Sequence, residues 1–408
     1  MSFADLGISN PVVSALRARD ITQPFPVQQM VIRDALAGHD LLVQSPTGSG
    51  KTLAFGIPMV DCIEANSGHL SGLVLAPTRE LASQIVDELD SIARARQLRV
   101  AAVYGGVGFG PQSAAARRAD IVVATPGRLE DLLSRGVISL DRVRVLVLDE
   151  ADRMLDMGFK PAVSRIVAQT PEDRQTLFFS ATLEGATGKL AAAYTRKARR
   201  HTQEPTEHRE RDIEHTFVHV ESQSAKLDHL TLQLRDEARG RTLVFVRTKR
   251  GADRLVKRLR SRELDAVAMH GDKSQGQRER ALARFEKGDV DTLIATDVAA
   301  RGIDVADITH VINFDAPGDQ DAYTHRIGRT GRAGRRGAGI SFVLEDQFGE
   351  MRRIARDLGL GQEFDQGRTG GSSETATAST SPPSSNGNSS AAQKRRRRRR
   401  RSRAKAAA

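Results

Sequence analysis

An apolar run, Leu41-Leu42-Val43, leads through Gln44 into Ser45-Pro46-Thr47-Gly48-Ser49-Gly50-Lys51-Thr52 and then into a stretch with helical periodicity. Glycines there let the backbone wrap closely round an oxyanion, so that N–H groups and a helix N-terminus meet negative charge. In such a loop Lys51 would reach the β- and γ-phosphates of a nucleotide and the Thr52 hydroxyl a Mg2+. The P-loop pattern G-x-x-x-x-G-K-[ST] has Ser45 where its first glycine would stand. Taken alone, the segment also suits a flexible loop entering a helix. A second candidate is VLVLDEAD at 145 to 152, an apolar strand ending in the adjacent acids Asp149 and Glu150. One could hold a water-ligated Mg2+ while the other orients or deprotonates an attacking water. The plainer reading is a helix N-terminus whose dipole favours acids. HRIGRTGR at 325 to 332 is the third. It is either a phosphate-binding or solvated basic loop, or a source of arginine fingers, Arg329 and Arg332, reaching across a cleft.

These groups need elements to hold them. Short apolar runs alternate with amphipathic helical stretches through most of the chain. Strands are predicted in DLLVQ at 40, GLVLAP at 72, RVAAVYG at 99, DIVVAT at 120, VRVLVLDE at 143 and TLFFSAT at 176. TLVFV at 242, AVAMH at 266, DTLIATD at 291, THVINFD at 309 and ISFVL at 340 play the same part later. A helix is predicted over Arg79 to Ala95, with Leu81, Ile85, Leu89 and Ile92 on one face. Apolar runs separated by helices imply βα units and mainly parallel sheets covered on both faces. Functional residues then gather in loops beyond the carboxyl ends of strands.

With 408 residues, of which 39% are hydrophobic, the chain can build two or three domains and is not wholly disordered. Residues 195 to 212 contain only Ala198 as an apolar residue and read as a linker. Two blocks result, 1 to 194 and 213 to 365. After Phe364 no Val, Ile, Leu, Met or aromatic residue occurs, so 366 to 408 reads as a disordered Ser/Gly-rich spacer followed by an Arg-rich run. That tail carries eleven Lys and Arg against the single acid Glu374, which leaves only +1 of the net +11 for the rest. Any polyanion site on the folded part must therefore be a local patch. The tail itself suits salt-sensitive anchoring to RNA, a plain solvated extension or a localisation signal. The single cysteine, Cys62, suits a reducing compartment. No secretory layout opens the chain and no apolar run of about 20 residues spans a membrane, so a soluble, cytoplasmic protein is expected.

Taken together, the motifs resemble those of the DEAD-box ATP-dependent RNA helicases. They stand in the family's order: Phe3 with TQPFPVQ ending at Gln28, SPTGSGKT, PTRELA at 77, Gly105-Gly106, TPGR at 125, DEAD at 149 and SAT at 180. VFVRT at 244, Gln277 to Arg280 in QRER, ATDVAARGID at 295 and HRIGRTGR follow. The resemblance implies two tandem RecA-like domains that bind ATP and Mg2+. Carried over, Gln28 would read the adenine edge and Phe3 would back its pocket. Ile21 stands where the family usually stacks an aromatic ring. Ser45 and Thr47 to Thr52 (Thr47, Gly48, Ser49, Gly50, Lys51 and Thr52) would hold the phosphates, Asp149 the hydrated metal and Glu150 the water. Ser180 and Thr182 would link the ATP and RNA sites, although a Ser-x-Thr at a strand end is also an ordinary cap. Asp304 would contact the ribose, and His325, Arg329 and Arg332 would complete the catalytic cleft. Arg247 stands where the family commonly has Asn.

For RNA the chain offers few stacking platforms: it has no Trp and only three Tyr. Its strand-end loops present Pro77, Thr78, Arg79, Gly106, Thr125, Pro126, Gly127, Arg128, Thr296 and Asp297 instead, types suited to phosphates and 2′-OH groups. Binding indifferent to sequence is expected, as is a monomer that separates short duplexes locally when its two domains close. The alternatives are an ATP-locked RNA clamp serving as an assembly platform and a DNA-directed motor.

Overall fold

A computed structural model describes residues 1–46, 48–65, 67–203, 213–236, 239–300, 305, 307–331 and 335–369. Among them, β1 (Leu41–Gln44), β2 (Gly72–Leu75), β3 (Val100–Val103), β4 (Ile121–Ala124), β5 (Val145–Leu148), β6 (Gln175–Ser180) and β7 (Arg199–Thr202) form one sheet in the order β3-β4-β2-β5-β6-β1-β7. All its pairings are parallel. A second sheet holds β8 (Ile213–Val220), β9 (Arg241–Phe245), β10 (Val267–Met269), β11 (Thr292–Ala295), β12 (Ile308–Asn313) and β13 (Gly337–Leu344) in the order β10-β11-β9-β12-β13-β8, also parallel throughout.

Side chains on a strand alternate between faces, and here both faces are buried. Val74, Val123, Val147 and Phe179 pack into one layer of the first lobe, while Leu73, Val122, Leu146 and Phe178 pack into the other. The second lobe repeats this with Leu243, Leu293 and Val311 against Val244, Ile294 and Ile312. Two-sided burial is why these strands read as unbroken apolar runs. The helix Arg79–Ala95 forms as predicted and buries Ile85, Leu89 and Ile92, with Leu81 half-buried.

Two boundaries differ from expectation. Residues 195 to 212 are not linker throughout, because β7 lies within them and pairs with β1, Leu41 beside Arg199 and Val43 beside His201. An edge strand is held by backbone bonds and needs no apolar face, so composition concealed it. Two of its side chains, Arg199 and His201, bond Asp34, and just before the strand the Arg196 backbone N–H donates to Asp40 at 2.6 Å. At the other end the helix Gly361–Thr369 runs past the boundary at 365. Phe364 anchors it, fully buried, with its ring 5.2 Å from that of Phe217. The Arg-rich run lies outside the described residues, and no described helix is long and apolar enough to cross a membrane.

Candidate active site and nucleic-acid face

The first sheet divides its carboxyl end into two halves. On one, β5, β6 and β1 lie side by side, with Leu148 paired to Phe178 and Gln44 to Ser180. The Lys51 loop and the acids after β5 therefore emerge next to each other. On the other half, β2, β4 and β3 deliver Pro77 to Arg79, Thr125 to Arg128 and Gly105-Gly106.

In the loop, Gly48 and Gly50 have φ of 70° and 90°, a region that favours glycine. A Cβ on Gly50 would also stand 2.5 Å from the Phe25 ring and 2.8 Å from Gln28 Nε2. No side-chain cap closes the first turn of the helix Lys51–Cys62. Lys51, buried, donates from Nζ to the Ser45 carbonyl at 3.0 Å. Ser45, at the position of the missing glycine, has acquired its own work. Its hydroxyl donates to Gln203 Oε1 at 2.7 Å and, having one proton, must accept from Ser49 Oγ at 2.6 Å. The loop is thereby tied to the chain just after β7. Gln28 accepts from the Phe25 N–H at 2.9 Å and donates to the Gly50 carbonyl at 3.0 Å. One N–H and one lone pair of its carboxamide remain for a base edge. Ile21 packs partly and Phe3 wholly into the core beneath. Phe25, half-exposed at 53%, offers the aromatic face that Ile21 does not; it lies within TQPFPVQ, where no role was read for it.

Asp149 and Glu150 are both buried. Burial pushes the Asp149 carboxyl up to about 7 against the pull of Lys51. Burial would raise Glu150 as well, but Arg153, Arg329 and Lys51 together hold it below its usual value. Glu150 has φ of 48°, an uncommon backbone for a non-glycine residue, of the kind that concentrates at functional sites. Asp152 accepts the Ala181 N–H at 3.2 Å, and the Ser45 N–H donates to the Ser180 carbonyl at 3.0 Å. Ser180 is thus tied to the loop and its neighbour Ala181 to Asp152, while Thr182 is exposed with its N–H on Ser180 Oγ. No three His, Cys, Asp or Glu side chains among the described residues gather into a metal cage. A Mg2+ held by phosphates and water needs only one or two protein oxygens, and Thr52 and Asp149 fit that demand.

The second lobe brings Arg329, 4% exposed, and His325 to Glu150. Arg329 Nε donates to the His325 carbonyl at 3.2 Å. Arg326, between them in sequence, is a strut: it bonds both oxygens of Asp297, Asn313 Oδ1 and the Asp315 carbonyl. Thr47, Asp304 and Arg332 lie outside the described residues. The segment QRER, Gln277 to Arg280, presents both exposed and buried side chains. Gln277 and Arg280 are exposed, whereas Gln275 and Arg278, two residues earlier at the same spacing, are buried. Arg278 Nη2 meets Glu80 Oε1 at 2.9 Å across the lobes. Breaking a buried pair costs about 3–5 kcal/mol when the orphan stays buried, less here because opening re-exposes it. Arg278→Glu is expected to raise the RNA concentration for half-maximal ATPase at least tenfold, and Glu80→Arg in the same chain to restore most of it; an RNA titration of each variant checks this.

On the nucleic-acid half, Arg79 lies over Gly106, where a Cβ would fall 1.9 Å from its Nη1. Thr78 caps its helix by accepting the Leu81 N–H. Gly127 borders open space, while Thr125 and Pro126 are buried. Arg128 is partly committed to structure, donating to the Val107 carbonyl at 3.3 Å and Gln112 Oε1 at 3.2 Å. In the second lobe Thr296 is buried, Asp297 is occupied by Arg326, and the Arg247 N–H donates to Asp315 at 2.8 Å.

Two parallel-sheet lobes that face a phosphate loop and acid pair with arginines define a RecA-like helicase core. The chain matches the DEAD/DEAH box helicase family over residues 25–190 and the helicase conserved C-terminal domain over 223–334. It is 39% identical to the DEAD-box ATP-dependent RNA helicase CshA of Geobacillus kaustophilus, over 87% of this chain and 76% of that one. Against the ATP-dependent RNA helicase CshA of Listeria monocytogenes it is 40% identical over 86% and 68%. Its fold is similar to Saccharomyces cerevisiae Dbp5 bound to RNA and ADP BeF3, with a TM-score of 0.80 and 30% identity, covering 88% of this chain and 94% of that one. The chain belongs to the DEAD-box ATP-dependent RNA helicases, and its activity is ATP hydrolysis dependent on RNA.

Proposed function

We propose that ATP and single-stranded RNA jointly close the two lobes, and that closure bends the strand and separates a few base pairs without regard to sequence. The observation carrying this reading is Glu150, approached by Lys51 and Arg153 from its own lobe and by Arg329 from the other. Gln28 reads the adenine edge, with Ile21 and Phe25 beside it and Phe3 behind. Ser45 to Thr52 hold the phosphates and Asp304 the ribose. Thr52 and Asp149 hold Mg2+, whose charge offsets that of the phosphates when bound. Glu150 orients the water and takes its proton; Arg329, Arg332 and His325 stabilise the charge that develops. Ser180 and Thr182 report nucleotide state to the RNA face, formed by Pro77, Thr78, Arg79, Gly106, Thr125, Pro126, Gly127 and Arg128 with Thr296 and Asp297. Both walls of the site come from one chain, which supports a monomer, and the lone Cys62 supports a cytoplasmic setting.

One experiment tests substrate class and tail together. ATPase stimulation is compared for single-stranded RNA and the matched DNA, in the full chain and in one ending at Thr369. RNA is expected to stimulate and DNA to fail. Truncation is expected to leave maximal turnover intact but weaken RNA binding and flatten its salt dependence, by about 0.7 in log–log slope for each phosphate that the tail no longer neutralises. Equal stimulation by DNA would overturn the RNA assignment, and equal slopes the anchoring role.

A further inference from the structure

The two strands beside β1 hold the root of the Lys51 loop by different means. On the β6 side the Ser45 N–H donates to the Ser180 carbonyl at 3.0 Å, a backbone bond that needs no particular side chain. On the β7 side one side chain makes the grip. The Gln203 N–H donates to the Gln44 carbonyl at 2.9 Å, and its Oε1 accepts from Ser45 Oγ at 2.7 Å. Gln203 thus touches two successive residues where β1 runs into the loop. Ser45 and Ser49 are both buried, and each hydroxyl carries a single proton. Because Ser45 gives its proton to Gln203, Ser49 must give its own to Ser45, at 2.6 Å. The two serines are stapled together with both protons directed toward Gln203. Gly48 and Gly50 take φ of 70° and 90°, a conformation that glycine adopts no more readily than its mirror image. The shape of the loop must therefore be set by other residues. Ser45 also accepts Lys51 Nζ at its carbonyl, so its position fixes where the ammonium waits.

We propose that Gln203 is a positioning residue for nucleotide binding: it sets the place and the proton direction of the Ser45–Ser49 staple, and through it the loop that receives the phosphates. Without an acceptor at 203 the Ser45 proton loses its partner, and a buried donor left unmet is costly. Ser45 must then turn its proton on Ser49, whose own proton is displaced in turn, and the staple no longer holds one shape. A loop shaped before its ligand arrives binds that ligand at lower cost. Gln203 belongs to none of the motifs that mark the site. It follows β7 directly, where the chain leaves the first lobe, and β8 of the second begins at Ile213. A determinant of ATP affinity therefore lies at the root of the interlobe connector. Bond cleavage is not its task, since it touches neither Glu150 nor Arg329. This inference rests on the assignment of Ser45 to Thr52 to the phosphates.

The test uses the full chain, with a fluorescent ADP as the probe and a non-hydrolysable ATP analogue as competitor, beside steady-state ATPase at saturating single-stranded RNA. Gln203→Met keeps the length and the backbone bond but removes the acceptor. It is expected to weaken binding of both nucleotides and raise the KM for ATP by about three- to tenfold, the net worth of one hydrogen bond, while kcat stays close to native. Gln203→Asn, one methylene too short to reach Ser45, should behave alike and carries the comparison if the methionine variant does not fold. In a Ser45→Ala chain either substitution should cost nothing further, because its route to the loop is already cut. Native nucleotide affinity in both Gln203 variants would overturn the proposal. A loss that persists undiminished in the Ser45→Ala chain, or one carried by kcat alone, would overturn it equally. Native nucleotide affinity in Lys51→Ala would instead remove the loop assignment beneath it.

Discussion

Glu150→Gln is expected to bind ATP and single-stranded RNA normally yet turn ATP over about 10²–10⁴-fold more slowly, the range for loss of a positioned general base. The amide fits the same space and can still orient a water, but it takes no proton at neutral pH. Removing the charge also leaves Arg153, Arg329 and Lys51 facing phosphate without a competing carboxylate, the set that holds Glu150 ionised in the native chain. Nucleotide affinity should therefore hold or rise as turnover falls. Steady-state phosphate production at saturating RNA, beside nucleotide binding measured directly, separates the two effects. Unchanged turnover would remove Glu150 from its role.

Arg329→Ala is expected to lower RNA-stimulated turnover by about 10³–10⁵-fold, the worth of an arginine finger. The loss should fall on kcat and little on the KM for ATP, because the charge it meets develops only in the transition state. Arg329→Lys should recover a small part at most, since an ammonium lacks the planar fork. The residue is also buried, so a melting curve is needed alongside. A variant that folds, binds RNA and still hydrolyses at the native rate would remove Arg329 from that role.

Much of this architecture is legible in the sequence because parallel strands with both faces covered appear as apolar runs. Where a strand lacks two buried faces the signal fails. β7 is Arg-Arg-His-Thr and is held by its backbone and by Asp34, so a reading of apolar content sees only linker. Which residues of QRER turn inward is hidden for another reason. Gln275 with Arg278 and Gln277 with Arg280 share one spacing, and only the face turned inward distinguishes them, here the one that meets Glu80. Ser45 looked like a defect in a glycine pattern; its bonds to Ser49 and Gln203 join residues at sequence distances no local pattern reports. Arg153 follows the DEAD motif without belonging to it, and Phe25 stands inside TQPFPVQ with no role that the motif assigns. Their signal is physical, an aromatic ring left in solvent beside Gly50 and a guanidinium buried beside Glu150 with no hydrogen bond from Nη1 or Nη2.

The position of β7 shortens the leash between the lobes. The first sheet keeps hold of the chain until Gln203, whose N–H donates to the Gln44 carbonyl at 2.9 Å, and the second begins at Ile213. Ten residue steps reach at most about 35 Å, which confines the untethered lobe to a volume where its effective concentration is in the millimolar range. Each encounter across the cleft can then be individually weak and still be revisited constantly. A grip that closes cheaply also lets go cheaply, which is what a machine that must release its strand after every turn requires.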